Sequence, residues 1–449
     1  MAKARSQFVC QQCGVSFSKW AGRCENCGEW NSLVEQVVSS GGSSVVDKSA
    51  RRGKALKTSS IREAASESGL ERLSTGIDDL DAVLGGGFLV GGVVLVAGQP
   101  GIGKSTLLAQ VAAYIAKTKS VLYVSGEESV SQVKLRAERL GAADSEKMQL
   151  VSSNSAEDIA ASIQQGGYDL AIVDSVQTIS LSEISSAPGS VSQITNSSNV
   201  IIRAAKASGT AVILVGHVTK EGSIAGPKIL EHLVDVVLNF EGDRYGGFRV
   251  VRAQKNRYGS TNEAAIFEMD ERGLRIVKNP SAELLAERQN LDGSIVLATM
   301  EGARPLLVEI QALVNPTNFG YPKRTASGFD LNRLNLLVAV LEKRTKLKLA
   351  DKDIYVNVVG GLKLNDPAAD LAVAMAIASA SAGRSLDEGA VVFGEIGLGG
   401  EVRSATNWQA RIKEAKKLGF TYAIAPKVHK DKFIKGVSDM RQALIDYLQ

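Results

Sequence analysis

The stretch 98–106, GQPGIGKST, follows an apolar run at 93–97 and leads into a helix-like segment at 106–117. Strand, glycine-rich turn and helix N-terminus in that order constrain the fold strongly, because a strand handing over directly to a helix builds the layered α/β unit. Gly98, Gly103, Lys104 and Ser105 stand at the spacing of a loop that cradles phosphates. The backbone of Gly98, Gln99, Pro100, Gly101, Ile102, Gly103, Lys104, Ser105 and Thr106 is expected to wrap a nucleoside triphosphate, with the helix dipole adding partial positive charge. In such a loop Lys104 reaches the β- and γ-phosphates and the Ser105 hydroxyl holds Mg2+.

Downstream, the expected strands 121–125, 149–151, 170–173 and 211–215 alternate with helical segments, as a mostly parallel sheet requires. LAIVDS places Asp174 at a strand end, where a carboxylate holds the Mg2+ water shell opposite Ser105 or serves only as a turn cap. The expected strand 121–125 runs into Gly126-Glu127-Glu128-Ser129, and either glutamate suits the activation of an attacking water, Glu128 by a small margin. His217, just past the fourth strand, either senses the γ-phosphate or is a hydrogen-bonded turn histidine.

The 449 residues exceed one compact core and predict about three domains. All four cysteines lie at the start, as Cys10-x-x-Cys13 and Cys24-x-x-Cys27. Two such knuckles present four thiolates to one tetrahedral Zn2+, a reading favoured over two disulfides or four thiols in a reducing compartment. Trp20 and Trp30 beside the knuckles either contact a partner or cap the small core. A stretch rich in Ser, Gly, Lys and Arg follows and reads as a flexible basic linker. Within 41–62, six Lys or Arg face the single acid Asp47, and within 320–348 seven face Asp330 and Glu342. A net charge of +4 names no partner, but two basic tracts suit a polyanion, or else form solvated faces. MAKARSQF lacks a signal-peptide core and no apolar run is long enough for a bilayer, so a cytoplasmic protein without membrane contact is expected.

The order of four-cysteine ribbon, GQPGIGKST, LAIVDS and Lys255-Asn256-Arg257-Tyr258-Gly259 resembles, over essentially the whole chain, the RadA (Sms) family of bacterial DNA repair proteins. That resemblance implies an α/β fold with a RecA-like P-loop core related to DnaB-type helicases, an N-terminal zinc ribbon and a C-terminal Lon-protease-like α+β domain. The expected division is 1–36 ribbon, 37–67 linker, 68–280 ATPase and 281–449 Lon-like. It implies ATP, Mg2+ and Zn2+ as cofactors and a homo-hexamer acting on single-stranded and branched DNA. The implied activity is a DNA-stimulated ATPase that drives branch migration with the RecA recombinase. The family's usual motif has Phe at Tyr258. Lys255 and Arg257, on a turn after an expected strand 247–254, are placed to complete a neighbour's nucleotide site as an arginine finger does, unless the turn is merely basic. A KaiC-like ATPase switch without translocation is the alternative.

Lon-type proteases use a Ser-Lys dyad. Alignment of the two relevant segments puts Ala368 at the serine position and Gln409 at the lysine position, and neither does that chemistry. An inactive protease domain is therefore expected. Its tract 323–348 and Arg411, Lys413, Lys416 and Lys417 are expected to face duplex DNA.

Overall fold

The computed structural model describes residues 5–10, 15–38, 71–140, 145–217, 229–242, 247–317 and 320–448. Cys13, residues 39–67 of the linker and its basic tract lie outside them. The chain divides into two compact units, one from Met1–Pro100, Lys104–Leu238 and Lys255–Tyr258, the other from Gly101–Gly103, Asn239–Gln254 and Gly259–Gln449.

In the first unit the N-terminal module is an antiparallel sheet in which Arg5–Cys10 lies between Ser16–Phe17 and Leu33–Val38. Its core is small: Cys10, Cys24 and Leu33 are buried, with Phe8, Phe17 and Ala21 packed on them.

The larger part of this unit is a parallel sheet in the order Met148–Ser152, Val121–Ser125, Leu170–Asp174, Ala211–His217, Val93–Gly98, with Val236–Gly242 next in order. Strands covered on both faces need apolar residues at every position, not at alternate ones. VVLVAG and VLYVS are accordingly buried throughout. Helices fill the crossovers, and their starts are encoded locally. Ser129 forms a capping box with Gln132, Ser155 accepts from the Asp158 amide, and Ser190 accepts from the Gln193 amide. Gly209, at φ 74°, ends the long helix Val191–Ser208 in the left-handed region.

Register then aligns the strand ends. Gly98 pairs with His217, and Asp174 pairs with both Val215 and Ser125, so Gly98, Ser125, Asp174 and His217 share the carboxyl edge of the sheet. Ligands bind at that edge in open α/β sheets.

The second unit contains the antiparallel ladder of Arg249–Asn256, as far as Gln254, with Ala264–Asp270 and Gly273–Ile276. It also contains a seven-stranded sheet in the order Arg324–Ser327, Lys352–Val358, Arg304–Pro316, Ser294–Glu301, Ala390–Val392, Tyr422–Pro426, Ile434–Val437. The alanine-rich helix Asp370–Ala382 is buried from Asp370 to Ser379, as its composition predicts. Asp370, an acid inside that apolar run, is neutralised by Arg333, which also donates to the Ile396 carbonyl at 2.8 Å.

Three expectations are corrected. The helix after the phosphate loop starts at Lys104, two residues earlier than the apolar pattern indicates, because its first residues Lys104 and Ser105 are polar and carry no apolar signal. Strand Arg249–Asn256 runs past Gln254, so Lys255 belongs to the strand end and not to the turn. Arg333 and Arg411 leave the DNA-facing set, since Arg333 is paired with Asp370 and Arg411 is fully buried. Lys343, Arg344, Lys346 and Lys348 remain exposed.

Candidate functional site

The phosphate loop shows why its glycines are needed. Gly101 and Gly103 have φ of 78° and 113°, a region that favours glycine. A Cβ on Gly103 would come within 2.8 Å of Met269 Cε. The helix Lys104–Ile115 begins immediately after, leaving its first amides directed at the loop.

Lys104 is only 4% exposed. Its Nζ donates to the carbonyls of Gly98 (2.8 Å) and Gln99 (3.0 Å) and lies 3.2 Å from His217 Nδ1. On the other side of the ring, His217 Nε2 is 3.2 Å from Glu127 Oε1, which also accepts from Ser175 Oγ at 2.5 Å. One tautomer satisfies the whole chain: Nδ1 accepts from the ammonium and Nε2–H donates to the carboxylate. Ser175, Glu127, His217 and Lys104 thus form a continuous polar relay along the strand ends. Burial alone pushes Glu127 up, but the hydrogen bonds from Ser175 and His217 and the charge of Lys104 outweigh it and hold the carboxyl below its usual 4.5.

Asp174 ends its strand as expected and accepts from Tyr123 Oη at 2.9 Å. Burial, reinforced by Asp174, pushes the Tyr123 phenol well above its ordinary range, so the hydroxyl stays a donor. Glu128 turns away from this group. It pairs with Arg136, and its amide donates to Ser125 Oγ at 2.8 Å.

Lys255 and Arg257 sit elsewhere. Lys255 Nζ donates to the carbonyls of Glu231 and Val234, both at 2.7 Å, at the end of the helix Ile229–Leu233. Arg257 Nη1 pairs with Asp235 Oδ1 at 3.1 Å, and Asp235 Oδ2 accepts from the Val93 amide at 3.1 Å. Val93 opens the strand that Gly98 closes, so the two basic residues lie about 17 Å from their own phosphate loop, one strand length away. Burial first, then the charge of Arg257, draws the Lys255 ammonium below its usual value. Tyr258 beside them is pushed up to about 12 by burial and by Asp235.

The sulfurs of Cys10, Cys24 and Cys27 all lie within 4.8 Å of one another. Cys10 and Cys27 are 3.6 Å apart, far beyond a disulfide bond and close to the edge of a tetrahedron around a metal bonded at about 2.3 Å. The donor set therefore fits Zn2+, with Cys13, the fourth ligand expected from the sequence, outside the described residues.

In the C-terminal half, Ala368 is buried as an alanine, but Gln409 is exposed. One cation that reaches the Ala368 segment is Arg411: its Nη1 donates to Asp366 Oδ2 at 2.6 Å, while Asp366 Oδ1 accepts from the Ala368 amide at 3.0 Å. An arginine is never deprotonated in a protein, so this residue provides no general base either.

Sequence reasoning named the loop, Asp174 and the cysteines. It missed Ser175, Tyr123 and Asp235. Asp235 did leave a signal, a single acid between the apolar pairs Leu233-Val234 and Val236-Val237.

Fold and site together define an α/β protein with a RecA-like P-loop ATPase core, an N-terminal zinc ribbon and a Lon-like C-terminal region. Family models agree: an AAA domain matches residues 63–223, a rubredoxin metal binding domain 8–35, and subunit ChlI of Mg-chelatase 335–429. The DNA repair protein RadA of Bacillus subtilis (strain 168) is 46% identical, covering 99% of each chain. RadA of Listeria monocytogenes is 47% identical over 99% of each, and that of Pseudomonas aeruginosa 47% identical over 95% of this chain and 94% of its own. The chain belongs to the RadA family. Among the described residues, no helix is long and apolar enough to cross a membrane.

Proposed function

We propose that this protein is a DNA-dependent ATPase motor of homologous recombination and DNA repair, driving branch migration of recombination intermediates with RecA as a homo-hexamer. The proposed division is 1–36 ribbon, 37–67 linker, 68–280 motor and 281–449 inactive Lon-like domain. Ser105 and Asp174 hold Mg2+, Lys104 binds the phosphates, and Glu127 takes the proton of the attacking water. The preference for Glu127 over Glu128 rests on the relay to Lys104, because Glu128 is committed to Arg136.

The observation that carries the assembly is the separation of Lys255 and Arg257 from their own loop by a whole strand. A basic pair so placed has no route to the γ-phosphate of its own subunit but is available to a neighbour's, which makes the hydrolytic site a property of an interface. Mixing two inactive proteins tests this. Lys104→Ala and Arg257→Ala subunits, each inactive alone, should recover about a quarter of wild-type turnover when co-assembled, the share of interfaces joining an intact loop to an intact arginine. No recovery in mixed assemblies overturns the shared site.

A further inference from the structure

The ribbon carries two indoles that its own folding does not use. Its core consists of Cys10, Cys24 and Leu33 with Phe8, Phe17 and Ala21, while Trp20 is 58% and Trp30 68% exposed. Among the described residues, neither indole belongs to that core. Their placement is fixed by the metal-binding knuckle. The Asn31 amide donates to the Gly22 carbonyl at 2.8 Å, Arg23 and Trp30 form an antiparallel bridge, and the Cys24 amide donates to the Glu29 carbonyl at 2.8 Å.

Gly22 lies between the two rings. A Cβ there would touch Trp20 Cη2 at 3.8 Å and Trp30 Cζ3 at 3.9 Å, so both benzo edges converge on a position with no side chain. The Arg23 guanidinium lies 5.8 Å from the Trp30 ring centroid and is held by its Nε donating to the Gly28 carbonyl at 2.8 Å. Two exposed, pre-positioned indoles, one of them with a guanidinium over its ring, form a stacking platform.

We infer that Trp20 and Trp30 stack on unpaired bases of single-stranded DNA, so that the ribbon is a base-stacking module of the motor. This deepens the DNA reading proposed above and rests on it. Charge favours a nucleic acid over a protein partner, since the segment following the ribbon carries six Lys or Arg against one acid within 41–62. On the knuckle itself Lys19 and Arg23 are balanced by Glu25 and Glu29. The indoles therefore contribute stacking, and phosphate neutralisation falls to other residues. That division of labour has a distinctive consequence: losing the indoles weakens binding without changing its salt dependence.

The chain has three tryptophans, so a Trp408→Phe background leaves only the two ribbon indoles fluorescent. In that full-length protein, titration with fluorescein-labelled oligo(dT) is followed by anisotropy, and with unlabelled oligo(dT) by tryptophan quenching. Quenching should saturate together with binding. Trp20→Ala and Trp30→Ala should each weaken affinity by roughly 5- to 150-fold at an unchanged salt slope, while the Phe variants keep most of it. Bound zinc, measured in every variant, shows that the ribbon is intact. DNA binding without quenching, or Ala variants of unchanged affinity, overturns the stacking role and leaves the DNA reading standing. Absence of any anisotropy change overturns both.

Discussion

Replacing Glu127 by Gln isolates one charge. The amide oxygen still accepts from Ser175 Oγ and His217 Nε2, whose distances to the carboxylate are 2.5 and 3.2 Å, and the side chain is 44% exposed, so the fold should be unaffected. What disappears is the carboxylate proposed as the base. Loss of general-base assistance slows a reaction by about 100- to 10,000-fold, or roughly 2.7–5.5 kcal/mol of barrier. ATP binding should not weaken, since the substitution removes a negative charge from the neighbourhood of Lys104 and the phosphates. Glu128→Gln is the internal comparison. It breaks a partly exposed pair with Arg136, a loss of about 0.2–1 kcal/mol in stability, and should leave turnover within a few-fold. Single-turnover hydrolysis combined with equilibrium binding of a fluorescent ATP analogue separates the two effects. Normal hydrolysis by Glu127→Gln together with an inactive Glu128→Gln would refute the relay as the catalytic arrangement.

Arg411→Ala should destabilise the C-terminal half by about 3–5 kcal/mol in urea unfolding, because it leaves the Asp366 side chain, 8% exposed, without its cation, and adding Asp366→Asn should recover part of that loss. Burial, opposed by Arg252 and reinforced by Glu241 and Asp366, pushes Glu301 up to about 7. The folded chain then holds a proton that the unfolded chain releases near the usual 4.5, so this contribution is complete below that pH and declines as pH rises through 7, by up to about 3 kcal/mol. Unfolding midpoints compared across that window should show the decline in wild type and its absence in Glu301→Gln. Stripping zinc with a chelator should unfold the ribbon, whose hydrophobic core among the described residues is Cys10, Cys24 and Leu33, while DNA-independent ATP turnover persists; zinc release and turnover measured on one sample check this.

Much of the ATPase core was legible in the sequence because its signals are local. The phosphate loop and the cysteine pairs announce themselves by spacing, and doubly covered parallel strands read as unbroken apolar runs. Features that depend on which side chains meet across the sheet were not legible. Glu127 and Glu128 are neighbours in sequence, and only the packing of His217 beside Lys104 separates their roles. Gln409 and Arg411 are two positions apart on one helix, on an exposed and a buried face respectively, a difference that spacing alone does not show. Lys255 looked like a turn residue because Gln254, Lys255 and Asn256 are polar, yet they continue the strand beside Val236–Gly242.

ATP turnover measured with and without single-stranded DNA, in wild type and in Arg257→Ala, tests the central claim most directly. A motor whose sites are completed between subunits should be accelerated several-fold by DNA, and Arg257→Ala should be inactive with and without DNA while still binding ATP. A wild-type rate indifferent to DNA would contradict the motor and favour a nucleotide switch that needs no track.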